Sequence, residues 1–257
     1  KNHTYDDTID LSKDKYINNL EAKVLLQGKI VLRAKANTGK TFNTIQKLHQ
    51  EGKKILFVMP RVTMVEQQYQ KGLTNGYKGV ALYEDCNKME KDIFLRDGFA
   101  NHDIVYATYN ATNDYLNSDG FTKDNNDNVV LVVDECHALV NESYRGKINS
   151  DIVKGFEKFK YVVCLSATPP ELFEEIGFKY IDVKTKEWQK LNYNAIKYTE
   201  RGVEQLEHVL GQLDTSKINI LKVNDRNVLS DIALKYHHLK PAIICNDAKR
   251  YGFSEEV

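Results

Sequence analysis

Three short polar stretches carry residue types whose order suits phosphate chemistry. The first is Ala34-Lys35-Ala36-Asn37-Thr38-Gly39-Lys40-Thr41. A lysine closing a loop of small residues supplies a point charge for the β- and γ-phosphates of a nucleotide, and the hydroxyl after it, Thr41, can ligate Mg²⁺. Backbone N–H groups of such a loop converge with the N-terminus of the following helix on one anion. The second stretch is Asp134-Glu135-Cys136-His137. Its adjacent carboxylates can divide the work of hydrolysis: Asp134 holds a metal, while Glu135 stays free to orient or deprotonate the attacking water. The third is Ser166-Ala167-Thr168 before Pro169-Pro170, whose hydroxyls can bond a neighbouring acid or histidine; alone it reads as a plain turn.

The loop departs from the strict pattern G-x-x-x-x-G-K-[ST]. Ala34 stands at the first glycine position, and Asn37 stands where many such loops carry another glycine. Both departures have physical readings. A small residue at 34 still allows close packing, and Asn, after Gly, tolerates φ > 0 best. Taken by itself, Thr38-Gly39-Lys40-Thr41 is also a polar helix start with Thr38 as N-cap.

The elements that must position these stretches are legible as apolar runs. Residues 29–33, 54–59, 80–83, 103–108, 129–133 and 161–165 read as strands. Residues 41–50, 62–71 and a stretch from about 109 to 116 read as helices, and 117–128 as a polar loop. Continuous apolar runs separated by helices predict a parallel sheet covered on both faces. Ligands of such sheets sit beyond the carboxyl ends of the strands. Each polar stretch directly follows an apolar run, as do Pro60-Arg61 and Thr108-Tyr109, so all are expected on one edge of the sheet. From about residue 191 the rhythm restarts, with strands at 192–198, 218–223 and 241–245 and helices at 201–213 and 228–236. This predicts the start of a second α/β domain; a complete one needs more residues than remain. The chain also begins at Lys1 without Met, so it is expected to be part of a longer protein.

Thirty-six basic and 36 acidic residues among 257 cancel. No global basic field advertises nucleic-acid binding, so any such site must be local. The four cysteines are far apart and form no C-x-x-C, which leaves zinc without an obvious cage. Cys136 and Cys164 lie in apolar runs and read as packing residues. A reducing, cytoplasmic setting is expected. There is no apolar stretch approaching a membrane span and no signal peptide, so no membrane partner is expected.

GKT, DECH and SAT in this order resemble the superfamily-2 helicases and translocases, the DExH-box group, over roughly residues 10–186. The resemblance implies an α/β RecA-like P-loop NTPase domain over residues 1–188, with the incomplete start of a second RecA-like domain over 189–257. It implies ATP and Mg²⁺ as cofactors and ATP hydrolysis coupled to domain closure and strand movement. Ala36, Asn37, Thr38, Gly39, Lys40 and Thr41 then match ATP-binding positions, with Thr41 and Asp134 on the metal. Lys40 and Glu135 match catalytic positions. His137 matches the position that couples the nucleotide site to Ser166 and Thr168; outside this box it would read as an ordinary surface or core histidine. Pro60-Arg61 and Thr108-Tyr109 are similar to segments that contact nucleic acid, and the second is found in DNA-directed members. Solvated loop residues remain the alternative for Arg61 and Thr108. The adenine-reading segment is not clear: Gln27 precedes the loop in unconvincing surroundings, and Tyr16 either stacks on a base or packs on a helix face. Tyr16-Ile17 and the T-Y segment are faintly similar to origin-binding and phage or plasmid replication helicases.

The family's last motif, Q-x-x-G-R-x-x-R, has no counterpart after residue 218. An arginine finger is worth roughly 10³–10⁵ in rate. The isolated chain is therefore expected to hydrolyse ATP weakly until the rest of a second motor domain, or a partner subunit, supplies the arginines. The competing readings are a duplex-translocating motor subunit of a restriction or repair system, and a nucleotide-gated nucleic-acid clamp with little turnover.

Overall fold

The computed structural model describes residues 5–124, 127–141 and 146–186, with two helical residues at 234–235. The chain divides into two compact units, Lys1–Lys190 and Leu191–Val257. The strands and helices expected after residue 191 otherwise lie outside the described residues.

The first unit is built on eight strands: β1 (Asp7–Leu11), β2 (Lys29–Ala34), β3 (Lys54–Met59), β4 (Gly79–Leu82), β5 (Ile104–Thr108), β6 (Val129–Val133), β7 (Tyr161–Ser166) and β8 (Lys179–Thr185). They form one sheet in the order β1-β8-β2-β7-β6-β3-β5-β4. Every pair is parallel. The Val/Ile/Leu runs explain this. β5 and β6 are buried along their whole length, and a strand apolar on both sides needs cover on both faces. Alternation divides the cover: Leu56, Val58, Leu131 and Val133 pack in one core, while Ile55, Phe57, Met59, Val130 and Val132 pack in the other.

The helices that matter for the site are α1 (Ala22–Leu25), α2 (Lys40–Gln50), α3 (Val62–Thr74), α4 (Lys88–Asp97) and α5 (Tyr109–Leu116). α2 follows β2, α3 follows β3 and α5 follows β5, so each helix starts at the carboxyl edge of the sheet. No helix among the described residues is long and apolar enough to cross a membrane.

Several elements were not in the sequence reading, among them the short helices Ala22–Leu25, Ala138–Asn141 and Leu172–Glu175 and the longer Gly146–Gly155. β1 and β8 were not expected, because their charged residues interrupt the apolar signal. They pair with each other, and β8 reaches the core strands through β2. α4 was also not expected; Asn87 caps it by accepting from the Met89 and Glu90 amides. The polar stretch 117–128 is not plain loop but holds α6 (Asp119–Lys123), capped by the Ser118 hydroxyl. The Asp124 carboxylate anchors it, accepting from the Tyr115 hydroxyl at 2.5 Å and the Phe99 amide at 2.9 Å.

Candidate functional site

The phosphate-loop stretch spans the gap between β2 and α2. It turns through two left-handed residues, Asn37 at φ 59° and Gly39 at φ 80°. Asparagine therefore sits where φ is positive, the reading its sequence position suggested. Thr38 is not the N-cap of the helix. It is fully buried and its hydroxyl donates to the Lys35 carbonyl at 2.8 Å, while Gly39 takes the cap position with no side-chain bond. The Lys40 ammonium turns back into the loop, donating to the Ala34 and Lys35 carbonyls at 2.9 Å each. Burial pushes its pKa down, and the carboxylates of Glu135 and Asp134 oppose that shift.

Asp134, the first residue after β6, faces this loop across the sheet edge. Its Oδ2 accepts from the Thr41 hydroxyl at 2.9 Å, and its Oδ1 accepts from the Glu135 amide at 3.1 Å. Burial pushes the Asp134 carboxyl up; the Thr41 bond works against this. Glu135 has φ 50°. Its Oε2 lies 3.2 Å from Nδ1 of His137, which in turn lies 3.2 Å from Oγ of Ser166. Ser166 Oγ accepts from the Thr168 amide at 3.0 Å. A chain of polar contacts thus runs from Glu135 through His137 to the turn after β7. Loop and acids share one cavity of about 590 Å³, lined by Ala36, Asn37, Gly39, Lys40 and Thr41 on one side and Asp134 and Glu135 on the other.

The donor set fits a hard divalent ion. Thr41 and Asp134 present adjacent oxygens, and the described residues contain no group of three or more His, Cys, Asp or Glu that could hold a metal. Two protein oxygens, with the rest from phosphates and water, is how Mg²⁺ is commonly held.

The remaining sequence candidates separate. Pro60 is buried at the end of β3, and Arg61 is exposed at the N-cap of α3. Thr108 and Tyr109 lie at the same edge but not on its surface. The Thr108 hydroxyl caps α5 by accepting from the Ala111 amide, and Tyr109 is 1% exposed with its hydroxyl donating to the Asp134 carbonyl at 3.3 Å. Their hydroxyls face inward in this structure, bonded to the Ala111 amide and the Asp134 carbonyl. Gln27 is excluded from the nucleotide site. It precedes β2, at the amino edge of the sheet, and accepts from the Lys179 ammonium at 2.9 Å. Tyr16 lies on no helix. It is 42% exposed beside Gly39, and the neighbouring Ile17 amide donates to the Thr38 carbonyl at 3.0 Å. Asn43 was missed altogether: it is buried, with its Nδ2 donating to the Gly39 carbonyl at 2.9 Å. Nothing in the spacing of one polar residue on a helix could have marked it. Cys136 and Cys164 are buried free thiols, and burial pushes Cys164 up.

A parallel sheet with a phosphate-type loop after one inner strand and paired acids after another defines a RecA-like domain of the helicase type. The family model of the type III restriction enzyme res subunit matches residues 12–171, and the chain belongs to that family. Among solved structures it is similar to a hypothetical ATP-dependent RNA helicase from Sulfolobus tokodaii, at 22% identity and TM-score 0.50, over 65% of this chain and 52% of that one. It is also similar to the Hef helicase domain of Pyrococcus furiosus, at 16% identity and TM-score 0.50, over 67% of this chain and 39% of that one. At these identities the likeness is one of fold. The chain matches about half or less of the length of either structure. No curated protein sequence matches the chain.

Proposed function

We propose that this chain carries the first motor domain of an ATP-dependent, DExH-type nucleic-acid translocase or helicase that acts on DNA in the cytoplasm. The observation that carries the reading is the meeting of two sequence-distant stretches at one cavity, the Lys40–Thr41 loop and Asp134–Glu135, with His137 and Ser166 in contact behind Glu135. Lys40 and the loop amides bind phosphates. Thr41 and Asp134 hold Mg²⁺, which when bound neutralises phosphate charge. Glu135 orients and deprotonates water, and His137 carries the state of that carboxylate to Ser166 and Thr168. Arg61, exposed at the sheet edge, meets the nucleic-acid backbone, so binding depends little on base sequence. Arginines from the rest of the protein or a partner subunit complete the site.

Two substitutions test the reading in the full-length protein. Lys40→Ala is expected to lose ATP binding, whereas Glu135→Gln is expected to bind ATP and fail to release it as ADP. ATPase activity that survives Glu135→Gln would refute the assignment of the base.

Membership in the type III restriction enzyme res subunit family favours one narrower reading, a motor that moves along duplex without separating it. A strand-displacement assay beside a triplex-displacement assay separates translocation from unwinding. Activity restricted to origin-like DNA would instead favour the replication-type reading. The clamp reading predicts no steady-state turnover, and the carboxylate of Glu135 in the cavity argues against it.

A further inference from the structure

Tyr109 is the first residue of α5, at a position where the sequence suggests a surface contact. Its ring is instead buried in the core that holds Val58, Ala107 and Val133. From the end of β5 it reaches across the end of β3 to β6, and its hydroxyl meets the carbonyl of Asp134 at 3.3 Å. That carbonyl belongs to the peptide leading into Glu135. Apart from Asn37, Glu135 is the described non-glycine residue with positive φ. A residue with a long side chain stays in that region only where its surroundings hold it there. On the amide side the holder is Asp134 Oδ1; beyond Glu135, the Cys136 amide is tied to the Leu165 carbonyl. On the carbonyl side the holder is Tyr109.

The geometry points to Tyr109 as a positioning residue for Glu135: its hydroxyl fixes the Asp134–Glu135 peptide in the left-handed turn that sets the carboxylate against the phosphate loop. This rests on Glu135 being the base of the proposed reaction. The phenyl ring fills the core whether or not the hydroxyl is present, so Tyr109→Phe removes the hydrogen bond and keeps the packing. Without it the Asp134 carbonyl loses a partner, and the turn can relax toward ordinary φ.

The test compares Tyr109→Phe with the unaltered full-length protein by two readouts. In nucleic-acid-stimulated ATP hydrolysis, kcat is expected to fall by about tenfold, the rate equivalent of one hydrogen bond, with KM for ATP unchanged. In native-state hydrogen exchange, the amides of residues 135–138 are expected to exchange about three to ten times faster, with the sheet amides unchanged. Unaltered kcat with unaltered exchange at the turn would overturn the inference. A rise in exchange across the whole sheet would mark Tyr109 as a packing residue only and would also overturn it. An unaltered protein that hydrolyses no ATP refutes the proposed function, and exchange at the turn then still decides whether Tyr109 holds it.

Discussion

The Thr41 hydroxyl donates to the Asp134 carboxylate at 2.9 Å, so the two residues proposed to share a metal ion are bonded directly to each other. The Thr41 hydroxyl keeps its lone pairs while it donates, so the two side chains would hold Mg²⁺ with that hydrogen bond in place. In Asp134→Asn the nucleotide is expected to bind equally well with and without Mg²⁺, because the anionic ligand is gone. Thr41→Ser is expected to keep the Mg²⁺-dependent gain, and Thr41→Val to lose it. Calorimetric titration with a non-hydrolysable ATP analogue, with Mg²⁺ and with chelator, checks all three. A full Mg²⁺ gain in Asp134→Asn would remove Asp134 from the metal site.

Asn37 sits at φ 59° in the loop. Asn37→Gly is expected to keep the fold and the nucleotide affinity. Asn37→Val places a β-branched side chain in the left-handed region, at a cost of about 1–2 kcal/mol, which is about 5- to 30-fold in affinity. Nucleotide binding by the two variants gives the answer. Equal affinity in the Val variant would mean that the bound loop does not need positive φ at this position.

Gly72 in α3 lies against the Tyr106 ring, and a β-carbon there would collide with it. Alanine is the better helix former by about 1 kcal/mol. Overpacking costs about 1–3 kcal/mol, so the clash is expected to win and Gly72→Ala to destabilise the protein. Urea melts measure the balance. A Gly72→Ala protein as stable as its parent would show that Tyr106 moves aside freely.

His102 packs edge-on to Phe94, with ring centroids 5.9 Å apart. Burial holds its pKa below the ordinary value of 6.5, against the pull of Glu90 and Asp103. The folded state thus binds this proton less tightly than the unfolded chain does. Its contribution to stability is complete above about pH 6.5 and declines as pH falls below that value. The melting temperature is expected to drop over that range, and His102→Asn to flatten the drop. An identical slope in the variant would place the titration elsewhere.

The inner strands were legible because each is a continuous apolar run, and a run buried on both faces has few other places to go. β1 and β8 were not, because Asp7, Asp10, Lys179, Asp182 and Lys184 break the pattern, and only pairing with β2 recruits β8 to the sheet. Thr108 and Tyr109 were correctly placed at the carboxyl edge, yet both turn inward. Residue type cannot report whether a hydroxyl at a strand end faces solvent or caps a helix. Gln27 failed for a related reason: distance along the chain is not distance in space, and β2 carries it to the opposite edge.

What the sequence determined by itself was local: which runs become buried strands, which polar residues follow them, and that those residues suit phosphate and metal. The meeting of Thr41 with Asp134, 93 positions apart, was decided by tertiary structure. So were the contact of His137 with Ser166 and the capture of the Glu135 turn by Tyr109. Strand order decides these contacts. It puts β7 beside β2 and β6 beside β7, and lets β5 reach β6 across β3, an order that emerges only when the crossover helices close their apolar faces over the sheet.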